Sequence, residues 1–307
     1  MRNVCLVTNF NYRDFLDECL NSLISQSRKF DLIIVVDDGS TDGSKSVINE
    51  FCSNYSYATA IYKENGGQLS CFHAALDQIE PDDLVFFIDA DDTYPVDYLG
   101  QVCDLAKGEN ADFVFVRSVQ FGASAPPMKS AAIAGGAASY YKFHSTSALT
   151  RKTYCSIGAE TSCLAVKGSL YLAILPYPFE KDWVTCADDV VIYAASIVGA
   201  HKLYIDSLGI NYRLHGSNNC IGRKRTLGER ADWRVRHERL FRWYCAKNFL
   251  SLHPPLRNVI HEAAVIPKSL RKRFGILSPI TVFLFGIASC FANARILWRY
   301  LAGGKSL

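Results

Sequence analysis

The cysteine pattern lacks the spacings on which metal and redox motifs depend. No CxxC pair occurs, and no His and Cys residues cluster at the spacing of a zinc site. The 11 cysteines are odd in number and scattered along the chain. The pattern therefore excludes a zinc motif of the usual kind and predicts free thiols in a reducing cytoplasm.

From the first residues of the sequence we expect no targeting segment. Met1 is followed by Arg2 and then by an apolar run, residues 4–7, that is too brief for the core of a signal peptide. This run predicts a strand instead. We find no internal repeat, and we expect a cytoplasmic protein.

The overall composition is that of a globular protein, but its charge is unevenly distributed. Hydrophobic residues make up 49% and charged residues 21% of the 307 positions, enough to bury one large core or two small ones. Residues 1–222 contain 16 Lys and Arg against 26 Asp and Glu, whereas residues 223–273 contain 14 against 4. An acidic first part and a basic last part predict different partners.

Short β-rich runs alternate with helical periodicity over the first 120 residues. The predicted strands are residues 4–8, 32–36, 58–62, 84–88 and 113–119. This alternation predicts an α/β fold with a mostly parallel central sheet covered by helices. Further along, the pattern predicts a long mobile loop at 122–147, after which regular structure resumes at 163–166. A helix is predicted over 189–198 and strands near 203–205 and 210–214.

Two acidic runs follow predicted strands directly. Asp89-Ala90-Asp91-Asp92 places three carboxylates at one strand end, where a divalent cation would relieve their repulsion and neutralise a diphosphate. Asp37-Asp38 ends another strand, where a carboxylate can accept a hydrogen bond from a uracil or a ribose. Solvated turns and helix caps would explain the same residues. Because ligands of open α/β sheets lie beyond the carboxyl ends of the strands, the two runs together describe a nucleotide pocket.

These motifs resemble those of the family-2 glycosyltransferases, and the resemblance covers about residues 3–220. It implies the Rossmann-like glycosyltransferase A fold. The turn that begins at Thr8 resembles the family's Thr-Tyr-Asn turn, which implies that Phe10 lies near the base. The family's Val-Asp-Asp-Gly-Ser-x-Asp motif matches residues 36–42 and implies that Asp38 contacts uracil.

The family's Leu-Asp-x-Asp-Asp motif matches residues 88–92. The resemblance implies that Asp89 lies near the ribose and that Asp91, together with Asp89, holds Mn²⁺ or Mg²⁺. Downstream, Tyr212-Arg213-Leu214-His215 begins a stretch similar to the family's Tyr-Arg-x-His-x-x-Asn, which here would end at Asn218. It implies that Arg213 and His215 meet the donor diphosphate or the metal.

A subgroup pattern of the family, Asn-Gly-Gly-Gln-x-Ser-Ala-x-Asn-x-Gly, matches the chain from Asn65 onward. It implies that the backbone at Gly67 approaches the donor. Cys71, His73 and Ala75 depart from the pattern, which makes the identity of the donor harder to infer. We expect His73 to pack or to cap a helix locally.

An inverting transfer needs a base that removes the proton from the acceptor hydroxyl. The family places it in a Glu-Asp pair at the start of a helix, and Asp188-Asp189 occupies the matching place with Asp where Glu is usual. The resemblance thus implies Asp189 as the base and Asp188 in a supporting role. Helix capping is the alternative reading of this pair.

The C-terminal part combines basic and apolar segments. Residues 274–294 contain no charge, and about 20 apolar residues are needed to span a bilayer. Pro279, Gly286 and Asn293 weaken the prediction of a span. A helix in the membrane interface, or a buried hairpin of a soluble helical subdomain, would explain the same residues. We disfavour nucleic acid because no binding motif accompanies the basic residues.

The sequence as a whole predicts two parts: a nucleotide-sugar glycosyltransferase domain at 1–220 and a helical C-terminal region at 221–307 that attaches to a membrane or a partner. We expect an inverting enzyme at the inner face of the cytoplasmic membrane, with a UDP-sugar as donor and a surface glycan or lipid-linked oligosaccharide as acceptor. A polyprenyl-phosphate sugar synthase and a catalytically silent glycan- or nucleotide-binding module are the alternatives. A nucleotidyltransferase is disfavoured because no Gly-rich, Arg-containing phosphate loop follows the first strand.

Overall fold

The computed structural model describes residues 1–123, 138–216 and 226–282. Across these residues, eight strands form one sheet with helices on both faces. The strands are β1 Asn3–Asn9, β2 Leu32–Asp37, β3 Ala58–Tyr62, β4 Leu84–Asp89, β5 Phe113–Phe121, β6 Tyr140–Phe143, β7 Leu164–Lys167 and β8 Lys202–Arg213. The helices are α1 Arg13–Ile24, α2 Ser44–Asn54, α3 Gln68–Ala74, α4 Tyr98–Gly108, α5 Ser147–Thr153, α6 Gly168–Ile174, α7 Asp188–Ile197, α8 Leu227–Lys247, α9 Leu256–Val265 and α10 Lys268–Arg273.

The sheet has the strand order β3-β2-β1-β4-β7-β5-β8-β6. Strands β3, β2, β1 and β4 run parallel to one another, and β5 runs parallel to β8. Strand β7 is antiparallel to both β4 and β5, and β6 is antiparallel to β8. The predicted α/β fold with a mostly parallel sheet is confirmed.

Helices cover both faces of the sheet, so the central strands carry nearly continuous apolar sequences. On one face, α1, α2 and α4 pack over β1, β2 and β4. On the other face, α3, α6, α7 and α8 form a second core. The two faces alternate along β1, where Val4 and Leu6 enter one core and Cys5 and Val7 the other.

The prediction of separate strands near 203–205 and 210–214 was wrong, because one strand, β8, covers both. Its pairing with β5 shifts register where Ile205 pairs with Val116 and Gly209 with Arg117. The three residues between them bulge out of the ladder. This polar interruption explains why the sequence suggests two strands.

The loop predicted at 122–147 lies only partly within the described residues, since 124–137 are outside them. Residues 140–143 are not a loop: they form β6, which pairs with β8 from Tyr140↔Ile205 to Phe143↔Lys202. The side chain of Phe143 is buried in the core. An aromatic edge strand therefore replaces the end of the predicted mobile segment.

The C-terminal helices pack against the same core as the sheet. Helix α8 begins with a capping box formed by Thr226 and Glu229, and its buried side includes Leu240 and Phe241. From α9, the buried carboxylate of Glu262 accepts a hydrogen bond from the backbone N–H of Leu149 in the first turn of α5 (2.7 Å). The predicted C-terminal helical region is thus present and joined to the α/β core.

None of the described helices has the length and apolarity needed to cross a bilayer. The uncharged stretch 274–294 lies beyond the described residues from position 283 onward.

Candidate active site

A cleft of about 500 Å³ opens at the carboxyl ends of the parallel strands. The loops after β1, β2 and β4 form one wall, and the segment that leads into α7 forms the other. Such an edge is where ligands bind in open α/β sheets. Of the predicted site residues, Thr8, Phe10, Asp38, Gly67, Asp89, Asp91, Asp188 and Asp189 line this cleft.

Asp89 is held at the end of β4 by hydrogen bonds from neighbouring loops. Its Oδ1 accepts from the hydroxyl of Thr8 (2.7 Å) and from Nε2 of Gln68 (2.8 Å). Burial, with a further contribution from the charge of Asp91, raises the pKa of Asp89 to about 7. Its charged form is costly here, and a nearby cation would reduce that cost.

Asp91 lies beside His215, with 2.9 Å between Oδ2 of Asp91 and Nε2 of His215. The rings of Phe15 and Tyr12 pack around the imidazole, at centroid distances of 4.7 and 5.6 Å. The tertiary structure therefore brings together two predicted metal ligands that are far apart in sequence.

The pair fits a magnesium or manganese ion in spacing and chemistry. Ligand atoms about 2.1 Å from an octahedral Mg²⁺ lie about 3 Å apart at adjacent positions, close to the 2.9 Å separation of Asp91 and His215. Among the described residues, no three His, Cys, Asp or Glu side chains form a complete metal site. An ion held by this pair would need diphosphate and water oxygens as further ligands, which is usual for Mg²⁺.

Arg213 stabilises the loop that carries Asp91 from the side away from the cleft. Its Nε donates to the backbone carbonyl of Asp91 (2.7 Å), and its Nη2 pairs with Glu18 (2.6 Å). The guanidinium also lies 4.3 Å from the ring centre of Phe121. Arg213 is not among the residues of the cleft wall, although its backbone and side chain both hold the loop that carries Asp91.

Asp92 is a structural member of the acidic cluster. It is fully buried, and it accepts hydrogen bonds from the hydroxyl of Ser162 (2.5 Å) and the backbone N–H of Arg213 (2.8 Å). Burial raises the pKa of Asp92 well above its usual value, and the charges of Asp91 and Asp89 add to the effect. Asp92 therefore ties the ends of β4 and β8 together.

Asp38 is engaged by the loop that follows β3. Its Oδ1 accepts from Lys63 Nζ (2.6 Å) and the N–H of Gly66 (2.9 Å), and its Oδ2 accepts from the N–H of Gly67 (2.8 Å). The carboxylate shapes this part of the cleft as well as lining it. Phe10, 45% exposed, offers an apolar ring at the cleft wall nearby.

Gly67 is required by the close approach of the two walls. Its φ is +87°, and a Cβ there would lie 2.4 Å from Cα of Val184. The next backbone N–H, that of Gln68, donates to the carbonyl of Val184 (2.9 Å). A side chain at position 67 would push the loop after β3, here called the donor loop, away from the segment that leads to α7.

Gln68 joins the two walls and was missed by sequence reasoning. Its Nε2 donates to Asp89 (2.8 Å) and Thr161 (3.1 Å), while its Oε1 accepts from the backbone N–H of Ala187 (2.9 Å). Ala187 immediately precedes the Asp188-Asp189 pair. Only its place after two glycines in a cleft loop could have drawn attention to it.

Asp188 and Asp189 begin α7 on the wall of the cleft opposite Asp89 and Asp91. Burial raises the pKa of Asp188 well above its usual value, and the charge of Asp189 contributes next. The N-cap residue of α7 is Ala187, which makes no side-chain capping hydrogen bond. Asp189 has an ionic neighbour in α8, His237, at 3.3 Å.

His73 packs locally below this wall. Its Nδ1 lies 2.6 Å from Glu180 Oε2, and its Nε2 accepts from the N–H of Tyr177 (3.1 Å). Burial lowers the pKa of His73, although the hydrogen bond with Glu180 acts in the opposite direction. This neutral imidazole positions the short 3-10 turn at Glu180–Trp183, and it does not line the cleft.

Comparison with known families agrees with this architecture. The model of the glycosyl transferase family 2 matches residues 4–166, more than half of the chain. The chain therefore belongs to glycosyl transferase family 2. An uncharacterized glycosyltransferase of Nostoc sp. is 27% identical over 220 residues, which cover 71% of this chain and 66% of the relative's length.

Solved structures of similar shape show the glycosyltransferase A fold. One is Staphylococcus aureus TarS, residues 1–349, in complex with UDP, with a TM-score of 0.58 at 16% identity. That match covers 90% of this chain and 72% of the TarS chain. Another is the mannosyltransferase PcManGT from Pyrobaculum calidifontis in complex with GDP-Man and Mn²⁺, with a TM-score of 0.52 at 17% identity. That match covers 97% of this chain and 80% of the mannosyltransferase.

Proposed function

We propose that this protein is an inverting glycosyltransferase that moves a sugar from a UDP-sugar to an acceptor hydroxyl of a surface glycan or a lipid-linked oligosaccharide. One observation carries the proposal. A single cleft has Asp89 and Asp91 on one wall and the pair Asp188-Asp189 on the other. The first wall suits a nucleotide diphosphate, and the second offers a base to the acceptor.

The donor would lie along the loops after β1, β2 and β4. In this proposal, Phe10 and Asp38 meet the base, Thr8 and Asp89 lie near the ribose, and the backbone at Gly67 approaches the diphosphate. Arg213 lies behind the loop that carries Asp91, and its positive charge favours an anionic diphosphate in the same region. Uridine is preferred because TarS, which shares the fold, is described in complex with UDP.

Asp91 and His215, with Asp89 nearby, would hold Mn²⁺ or Mg²⁺. When bound, the ion neutralises negative charge on the departing nucleoside diphosphate. The 2.9 Å spacing of Asp91 and His215 supports this assignment. Burial raises the pKa of Asp89 and the charge of Asp91 adds to the effect, so a cation bound beside both carboxylates would offset the cost of their ionisation.

The chain's own chemistry is proton removal and orientation. Asp189 would take the proton of the acceptor hydroxyl while the acceptor oxygen attacks the anomeric carbon. The bond from that carbon to the diphosphate oxygen breaks on the opposite face, and the configuration inverts. Asp188 would support the acceptor without taking the proton.

The test is release of nucleoside diphosphate from a panel of UDP-, GDP- and dTDP-sugars with Mn²⁺ or Mg²⁺, with water as acceptor. We expect turnover of one donor, a fall to background in Asp91→Asn, and a fall of about 10²- to 10⁴-fold in Asp189→Asn. Asp104→Asn is the matched control, because its exposed carboxylate pairs with Arg28 outside the cleft.

The result separates this proposal from its alternatives. A polyprenyl-phosphate sugar synthase has an anionic acceptor and needs no base, so its transfer to polyprenyl phosphate would survive Asp189→Asn. A silent binding module would bind a nucleotide sugar without any metal-dependent turnover.

We also propose that the C-terminal region, 221–307, attaches to an anionic membrane surface. Lys268 and Lys272 of α10 are exposed, and so are Val265 and Ile280, at 66% and 73%. Exposed basic and apolar side chains in one region of the chain suit anionic lipids. We expect co-sedimentation with phosphatidylglycerol vesicles at low salt, weakened by Lys268→Glu with Lys272→Glu. Equal binding to neutral vesicles would contradict an electrostatic attachment; Lys29→Glu with Lys107→Glu is the matched charge control.

A further inference from the structure

A buried histidine of α8 lies against the proposed base. His237 is 1% exposed, and its Nε2 lies 3.3 Å from Oδ2 of Asp189. On the other side of the ring, Nδ1 is 2.7 Å from the backbone carbonyl of Trp233. The contact with Asp189 has ion-pair distance, although its direction falls short of a hydrogen bond.

Aromatic rings enclose this imidazole. Trp233 lies 3.7 Å away between ring centres, Trp183 4.9 Å and Tyr193 5.2 Å. Apart from Asp189, no polar group within the described ranges is within hydrogen-bonding reach of Nε2. Electron-rich ring faces stabilise a cation, and their bulk keeps water from the imidazole.

The carbonyl of Trp233 fixes the proton on Nδ1, because a carbonyl oxygen can only accept a hydrogen bond. If Nε2 carried no proton, its lone pair would face the carboxylate oxygen of Asp189 in a buried place. That arrangement is repulsive. A proton is therefore required on one of the two facing atoms, and an imidazolium facing a carboxylate is the arrangement that we assign to the pair.

We propose that His237 is a positioning residue for the base: it holds Oδ2 of Asp189 and keeps this carboxylate ionised, so that its other oxygen is available to the acceptor hydroxyl. This inference rests on the proposed function. It assigns the C-terminal helix α8 a part in the chemistry of a cleft whose wall contains none of its residues.

The pair also distinguishes Asp189 from Asp188. The two carboxylates are adjacent, and burial together with the charge of Asp189 disfavours ionisation of Asp188. His237 contacts Asp189, so the positioning that we propose acts on that carboxylate.

The other charged groups around the pair come from three elements. Arg236 of α8 lies over the ring of Trp183, 4.5 Å from its centre, and donates to the carbonyl of Asp182. The carboxylate of Asp182 is bound by Arg239. Tyr193 of α7 and Cys186 before it are further titratable neighbours, and the charges of Asp89 and Glu160 also act on Asp188. The charges of Asp182 and Arg239 satisfy each other, which leaves Asp189 as the anion that faces His237.

A spectroscopic test requires no donor or acceptor. The chain has seven histidines, so ¹⁵N-histidine spectra with His237→Gln as the assignment control would isolate the ring nitrogens of His237. We expect both nitrogens protonated at pH 7 in the wild type and a lost Nε2 proton in Asp189→Asn. An unprotonated Nε2 in the wild type would overturn the proposal.

A kinetic test uses a double-mutant cycle with UDP-sugar hydrolysis as the readout. We expect His237→Phe to lower kcat at least 10-fold with UDP affinity unchanged, and to have no further effect in the Asp189→Asn background. His237→Gln keeps a donor near Oδ2 and should recover part of the rate. If His237→Phe does not fold, the cycle is run with His237→Gln.

The two failures can be told apart. A wild type that hydrolyses no nucleotide sugar would contradict the proposed function, and the ¹⁵N spectra would still test the pair. The role of His237 alone would be contradicted by a different result. In that case Asp189→Asn lowers turnover as expected, but His237→Phe lowers it by the same factor in the wild type and in Asp189→Asn.

Discussion

The two walls of the cleft obtain the partners of their carboxylates in different ways. On the donor wall, Asp38 and Asp89 accept hydrogen bonds from loops in the first 70 residues. On the opposite wall, Asp189 meets His237, which belongs to a helix 48 positions further along the chain. The family match covers residues 4–166 and so contains the donor wall but neither Asp189 nor His237. Under the proposed function, donor binding would be built into the sheet that the family shares, whereas the base would depend on the C-terminal helices.

The electrostatics of the walls differ in the same sense. The carboxylate of Asp38 is held by an ammonium and two backbone N–H groups, a set of charge-assisted hydrogen bonds that anchors it. Asp189 has one neighbour at ion-pair distance, His237, at 3.3 Å. A firmly anchored group suits recognition, and a group with one oxygen unengaged suits proton transfer.

Loss of the Gln68 hydrogen bonds that join the two walls should have a larger effect than the glycine substitutions described below. In Gln68→Leu, the hydrogen bonds to Asp89 and to the N–H of Ala187 are both lost. Misplacement of catalytic groups by about 1 Å can cost about 10²-fold in rate. We therefore expect kcat for UDP-sugar hydrolysis to fall by up to about 10²-fold, measured by nucleotide release.

Gln78→Leu is the control for that experiment, since it makes the same substitution at an exposed position outside the cleft. We expect wild-type kinetics from it. Unchanged kcat in Gln68→Leu would mean that the two walls act independently.

Two glycines sharpen the comparison through stability. Gly67→Ala places a Cβ against the backbone of Val184, whereas Gly43→Ala has a similar positive φ but no atom within 4 Å of the new Cβ. We expect the free energy of unfolding to fall by about 1–2 kcal/mol in Gly43→Ala, from backbone strain alone. In Gly67→Ala, the added clash should raise the loss to about 2–5 kcal/mol.

Urea unfolding of both variants measures this difference, and UDP titration shows whether donor affinity falls with it. Equal losses of stability would show that the donor loop can move away from Val184 at no cost. The close approach of the walls would then be incidental.

Much of the fold follows from local pattern. Apolar runs predicted β1, β2 and β4, and the last two of these end in acidic turns. Asp37-Asp38 was found because it stands at the end of such a run, and Asp188-Asp189 because it matches the family's Glu-Asp pair. The prediction failed at β6 and within β8. In both places the strand is defined by a distant partner, through the pairing Tyr140↔Ile205 and the register shift at Val116.

The sequence by itself determined the sheet, the acidic strand ends and the family, because hydrophobic periodicity and short motifs are local properties of the chain. Family motifs placed Asp91 and His215 at one site, and the structure shows them in contact. Only the tertiary structure decided that Gln68 meets Ala187 and that His237 meets Asp189, because no motif or spacing in the sequence encodes these contacts. They depend on how α7 and α8 pack around the sheet, and that packing is decided by the whole core at once.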